Sequence, residues 1–119
     1  METKPLALII EDDEDQNLVF TTALNQAGYE TESITNGLAA QQRLNEVVPR
    51  TVILDLHIPG VKGTHLLSQI RNDERLKRVR VILATADAAL AESLQVEADL
   101  VLLKPVSFSQ LSLLAARFK

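Results

Sequence analysis

Residues Thr51 to Gly60 read TVILDLHIPG, an apolar run that ends on one acid and breaks at a Pro-Gly pair. Val52, Ile53 and Leu54 show no polar alternation, the pattern of a strand buried on both faces in a parallel sheet. Asp55 then falls at a strand's carboxyl end, the edge at which open α/β sheets bind ligands. Turn formation also favours Asp at such a place. The run alone therefore leaves a structural and a functional reading open, and the rest of the chain decides between them.

Upstream, Leu6 to Ile10 (LALII) is a second continuous apolar run, and it stops at five consecutive acids, Glu11 to Asp15. Phe20, Ala23, Leu24 and Ala27 follow at helical spacing, with Gly28 as terminator. Asp13 and Gln16 have the spacing of a capping box, and Glu14 and Asp15 suit the positive end of the helix dipole. Glu11 and Asp12 have no such explanation. Tyr29 to Ile34 predicts an edge strand whose glutamates discourage edge pairing. Ala40, Leu44, Val47 and Val48 predict a second helix that stops before Pro49.

Downstream of Gly60, Gly63, Leu66, Leu67 and Ile70 mark a third helix. The charged stretch Arg71 to Arg80 predicts a solvated connection. Val81 to Ala84 is a fourth strand ending at Thr85, Ala86 to Val96 a short alanine-rich helix, and Leu100 to Leu103 a fifth strand ending at Lys104 and Pro105. Phe108, Leu111, Ala115 and Phe118 make the closing helix. Strand and helix alternate five times, which predicts an α/β fold: one parallel sheet with helices on both faces, joined by right-handed crossovers.

Composition narrows the function. With 119 residues the chain is expected to form a single domain over 1–119, and with no cysteine it has no disulfide or thiolate metal site. The amino terminus has no secretory leader pattern and no stretch approaches a membrane span, so a soluble, cytoplasmic protein without membrane contact is expected. A net charge of -4 and 3% aromatic residues argue against direct nucleic-acid contact by this domain. Neither GxGxxG nor GxxxxGK occurs.

The strand ends place Glu11, Asp12, Asp55, Thr85 and Lys104 on one edge: three carboxylates, a hydroxyl and an ammonium. With LIIEDDED, VILDLHIPGVKG, VILATAD and LVLLKPVS in this order, the whole chain resembles the receiver domain of two-component response regulators, the CheY-like family. The resemblance implies a flavodoxin-like, doubly wound five-stranded sheet of order 2-1-3-4-5 with five helices. It also implies a phosphorylation-dependent switch: Asp55 is the phosphoacceptor, Glu11 and Asp12 bind Mg²⁺ with Asp55 and the His57 backbone carbonyl, Thr85 hydrogen-bonds the phosphoryl group and Lys104 pairs with it. The partners implied are a sensor histidine kinase or phosphotransfer protein and a downstream protein or output domain. Such a chain catalyses only its own phosphorylation and dephosphorylation. Monomer and phosphorylation-dependent dimer both fit, and Lys104-Pro105 is expected to be a cis peptide.

The physical reading agrees, because closely held carboxylates repel and invite a hard divalent cation. The chain departs from the family pattern at Val101, where many members carry Tyr or Phe, and in the short spacing between Thr85 and Lys104. His57 and Asp87, two residues after Asp55 and Thr85, occupy positions that tune dephosphorylation in the family. His65 is expected on the surface. Haloacid-dehalogenase hydrolases also phosphorylate an aspartate but need a second Asp where this chain has His57. A receiver-like interaction module acting without phosphorylation is the closer rival, although such modules usually lack the aspartate, threonine or lysine that are all present here.

Overall fold

The computed structural model describes residues 3–119. Its elements alternate as the sequence predicts: β1 (Leu6–Ile10), α1 (Glu14–Gln26), β2 (Glu30–Ile34), α2 (Gly37–Leu44), β3 (Thr51–Leu54), α3 (Gly63–Asn72), β4 (Arg80–Thr85), α4 (Ala88–Ser93), β5 (Leu100–Leu103) and α5 (Phe108–Arg117). All strand pairs are parallel, in the order β2-β1-β3-β4-β5.

Two cores explain why the apolar runs are continuous. Successive side chains of a strand point to opposite faces. Leu8, Ile10, Val52, Leu54, Val81 and Leu83 pack on one face against Ala40 and Leu44 of α2 and Leu66, Leu67 and Ile70 of α3. Ala7, Ile9, Ile53, Ile82 and Ala84 pack on the other against Phe20, Ala23 and Leu24 of α1 and Leu111 and Ala115 of α5. Each fully buried aliphatic side chain contributes about 1.5–3 kcal/mol, so burial on the sheet outweighs intrinsic helix propensity. β2 and β5 are the two edge strands, and β5 is only half-buried, with Leu103 52% exposed.

Local chemistry sets the ends. The Asp13 carboxylate accepts from the Gln16 amide at the start of α1, and Gly28 leaves the helix with a positive φ of 104°. Asn36, Asp87 and Ser107 cap α2, α4 and α5 in the same way. The Lys104-Pro105 peptide is cis.

Four expectations need correction. The second helix ends at Leu44, not Val48: Val47 rests partly buried on the core while Val48 is 58% exposed. The Arg75 guanidinium takes the carbonyls of Leu44 and Val47 at 2.9 and 3.3 Å, in place of further helical bonds. The second strand starts at Glu30, because Tyr29 is turned into the core. There its hydroxyl donates to the Ala115 carbonyl at 2.8 Å and meets Thr51 Oγ1 at 2.9 Å. α4 is shorter than residues 86–96 because Asp87 caps it at one end and it stops at Ser93.

The stretch from Arg71 to Arg80 is not merely solvated. It forms a 3-10 turn, Glu74–Leu76, that buries Leu76 completely. Arg71 reaches across to the loop before β5, donating to the Glu97 carbonyl at 2.6 Å and to Asp99 Oδ2 at 2.9 Å. Asp99 also accepts from the Val81 amide at 2.7 Å and from Arg80 at 3.2 Å. Burial alone pushes the Asp99 carboxyl up, but these donors outweigh it and hold the group below its ordinary range. Asp99→Ala removes the carboxylate shared by two guanidinium groups and one strand amide. It is expected to lower stability by about 1–3 kcal/mol in urea unfolding, whereas an unchanged midpoint contradicts this role.

Candidate functional site

The sheet ladder runs one residue beyond the strands at their carboxyl edge. The Glu11 amide donates to Ile34 at 3.0 Å, that of Asp55 to Ile10 at 3.0 Å and that of Lys104 to Thr85 at 2.9 Å. Backbone pairing therefore fixes where each functional side chain leaves the sheet. All five residues expected at this edge lie there.

Glu11, Asp55 and Thr85 are buried, at 1%, 6% and 0% exposure, while Asp12 is exposed. The Lys104 ammonium spans the buried acids: Nζ lies 2.7 Å from Glu11 Oε1 and 3.3 Å from Asp55 Oδ2. The second Asp55 oxygen accepts from the His57 amide at 3.0 Å. Both oxygens of Asp55 are thereby held, and its carboxylate plane is fixed. Thr85 Oγ1 accepts from the Asp87 amide at 3.1 Å, which leaves its own proton to donate elsewhere.

One cation does not balance this much negative charge. Burial pushes Glu11 up to about 7, against the pull of Lys104 and the Asp13 amide, and the neighbouring Asp55 adds to the rise. Burial works the other way on Lys104, but Glu11 and Asp55 outweigh it and hold the ammonium above its ordinary value. Carboxylate oxygens of Glu11, Asp12 and Asp55 all lie within 4.8 Å of one another. An all-oxygen, anionic donor set with one member open to water fits a hard divalent cation that retains part of its hydration shell.

Asn17 was not singled out by sequence, yet it holds the acidic turn. It is buried in α1, and its amide donates to the Glu11 carbonyl at 2.9 Å while its carbonyl oxygen accepts from Thr21 and Ser33. The available signal is its register: Asn17 shares the apolar stripe of Phe20 and Leu24, where an amide needs internal partners. Gly63 is equally close-fitting, since a Cβ there would come within 2.8 Å of the Asp55 carbonyl. At the rim, His57 Nε2 stands 3.6 Å from Asp87 Oδ2. His65 is exposed on α3, as expected.

The family model described as the response regulator receiver domain matches residues 7–116. The phosphate regulon transcriptional regulatory protein PhoB of Rhizobium meliloti is 32% identical over 110 residues, covering 90% of this chain and 48% of PhoB. The chain thus spans about half the length of that relative. The signal receiver domain of a signal transduction histidine kinase from Syntrophus aciditrophicus is 29% identical with a TM-score of 0.83, over 96% of this chain and 89% of that one. The receiver domain of a sensor histidine kinase from Pseudomonas aeruginosa, solved with a magnesium ion coordinated in its active-site cleft, has a TM-score of 0.85 over 98% of each chain and shares the fold at 24% identity. The chain belongs to the response regulator receiver domain family, with the CheY-like sheet order that family resemblance implies.

The folded-state value of Glu11, about 7, lies above its unfolded value of 4.5. The stability it contributes is therefore full below pH 4.5 and is lost as pH rises through about 7. Urea unfolding in EDTA is expected to show a decline in stability from mildly acidic to mildly alkaline pH that is flattened in Glu11→Gln. Parallel pH profiles for the two proteins would overturn the assignment.

Proposed function

We propose that this chain is a phosphorylation-dependent switch in which Asp55 accepts a phosphoryl group from the phosphohistidine of a sensor kinase or phosphotransfer protein. The observation that carries the reading is the buried Asp55 carboxylate, with one oxygen on the Lys104 ammonium and the other on the His57 amide. An aspartate needed only to end a strand has no use for an ammonium spanning it and Glu11.

In this reading an Asp55 oxygen attacks phosphorus, the phosphorus–nitrogen bond to the donor imidazole breaks, and the released imidazole takes up a proton. Lys104 offsets the charge that gathers on the transferred group, while Thr85 donates its hydroxyl proton to a phosphoryl oxygen. Glu11, Asp12, Asp55 and the His57 backbone carbonyl would hold Mg²⁺, which when bound supplies charge neutralisation to phosphoryl oxygens. Glu11 Oε1 already accepts from the Lys104 ammonium at 2.7 Å, so an acid that would hold the metal is also paired with the cation that faces the phosphoryl group. The chain turns over no external substrate beyond its phosphodonor; it catalyses its own phosphorylation and dephosphorylation.

The phosphorylated state is read by a partner protein or output domain at the surface of α4, β5 and α5, which changes between two pre-existing arrangements. Val101 there is aliphatic and packs partly buried against the core, so the rearrangement runs through Thr85 and the Asp87 cap of α4 rather than through an aromatic side chain. The protein acts in the cytoplasm, without direct nucleic-acid or membrane contact by this domain.

Incubation with acetyl phosphate is expected to give one phosphoryl adduct by intact-protein mass, only when Mg²⁺ is present, and none in Asp55→Asn. Absence of any adduct under these conditions contradicts the reading and favours an interaction module that works without phosphorylation. Thr85→Ala is expected to keep the adduct yet lose most of the phosphorylation-induced change in hydrogen exchange across α4, β5 and α5. A full response in that variant contradicts the role given to Thr85.

A further inference from the structure

Cations gather at the amino edge of the sheet, opposite Glu11, Asp12 and Asp55: Lys4 precedes β1, Arg50 precedes β3, Arg78 lies just before β4 and Lys119 follows α5, while the acids of this edge, Glu30 and Asp99, stand at the starts of β2 and β5. All four cations are exposed, and none forms an ion pair with a described residue. Arg50 is stationed at the middle of this edge by its backbone, its amide donating to Leu6 at 2.8 Å and its carbonyl accepting from Arg80 at 3.0 Å.

Two clefts flank Arg50. One of about 220 Å³ runs from Arg50 to Arg78, and one of about 500 Å³ from Arg50 to Lys4 and Lys119. They share Pro5 and Arg50 and so form one groove, and no acidic residue lines either part. Lysine beyond the end of a helix complements the helix dipole, which accounts for Lys119. It does not account for Lys4, Arg50 or Arg78, which lie on no helix. Isolated surface cations are common, but here the floor between the two arginines is apolar, made by Pro5, Val48, Pro49 and Val79. Val48 is left 58% exposed in it.

We infer that this groove is a second interaction surface, which docks an extended acidic segment of a protein partner. Carboxylates of the segment meet Arg50, Arg78, Lys4 and Lys119, and an aliphatic side chain between them covers Val48. A polyphosphate or nucleic-acid strand satisfies the cations but brings nothing to the apolar floor. The groove lies at the opposite end of the strands from Asp55, so the partner is held whatever the state of the carboxyl edge. This inference does not rest on the phosphoacceptor reading.

The test is fluorescence anisotropy of the full chain with a short labelled peptide alternating glutamate and leucine, beside a glutamate–serine peptide and inorganic polyphosphate. Saturable binding of the glutamate–leucine peptide is expected. Exposed charge pairs are each worth a few-fold, so Arg50→Glu with Arg78→Glu weakens binding by about tenfold. Arg50→Lys with Arg78→Lys retains most of it, Val48→Ser weakens it several-fold, and Asp55→Asn leaves it unchanged. No saturable binding, unchanged binding in the charge-reversed variant, or equal binding of polyphosphate or the glutamate–serine peptide overturns the inference.

Discussion

The structure depends on one ammonium placed between two buried carboxylates. Lys104 comes from the end of β5 and Glu11 from the end of β1, so its contacts with Glu11 and Asp55 join the edge strand to the centre of the sheet. At an effective dielectric near 20, unit charges about 4 Å apart interact by roughly 4 kcal/mol. A single cation at this range offsets the repulsion of one carboxylate but not of three. Burial raises the proton affinity of Glu11, and the neighbouring Asp55 adds to the rise; an anionic, all-oxygen edge of this kind suits a hard divalent cation.

Topology makes such a cluster possible without strain at the site. Parallel strands all end at one edge, and the ladder continues one residue further for Glu11, Asp55 and Lys104. The side chains thus leave adjacent strands from fixed backbone positions, and their precision comes from two apolar cores on either face of the sheet. Polar supports act locally: Asn17 pins the acidic turn, the His57 amide orients Asp55, and the Asp87 amide engages Thr85. Asp87 also caps α4 and faces His57 across the rim. Asp55 and the N-cap of α4 are thus bridged by His57, whose amide donates to Asp55 and whose ring stands 3.6 Å from Asp87.

Sheet, helix faces and the acidic edge were legible because each is written in local pattern. Val52 to Leu54 and Leu6 to Ile10 carry no polar residue, and the apolar stripe of α3 falls on Leu66, Leu67 and Ile70, all of them buried. Less legible were features whose partners are distant in sequence. Nothing near Val47 announces that Arg75 takes its carbonyl, and nothing near Arg71 announces Asp99. Tyr29 reads as a strand residue until Ala115 supplies its hydrogen-bond acceptor. That Lys104 makes its shorter contact with Glu11 rather than Asp55 is likewise a matter of tertiary geometry. Sequence order brings these residues to one edge, but only the fold sets their pairing.

The most direct test of this account is where the phosphoryl group sits. Asp55 is the only carboxylate side chain in the tryptic peptide from Thr51 to Lys62. Borohydride reduction of the phosphorylated protein converts an aspartyl phosphate to homoserine, a change that peptide mass spectrometry reads directly. The account predicts that this change falls at position 55 in the Thr51–Lys62 peptide and nowhere else. Modification at Asp12 or Asp13, or acid-labile phosphate on His57 or His65 with Asp55 unchanged, would contradict it.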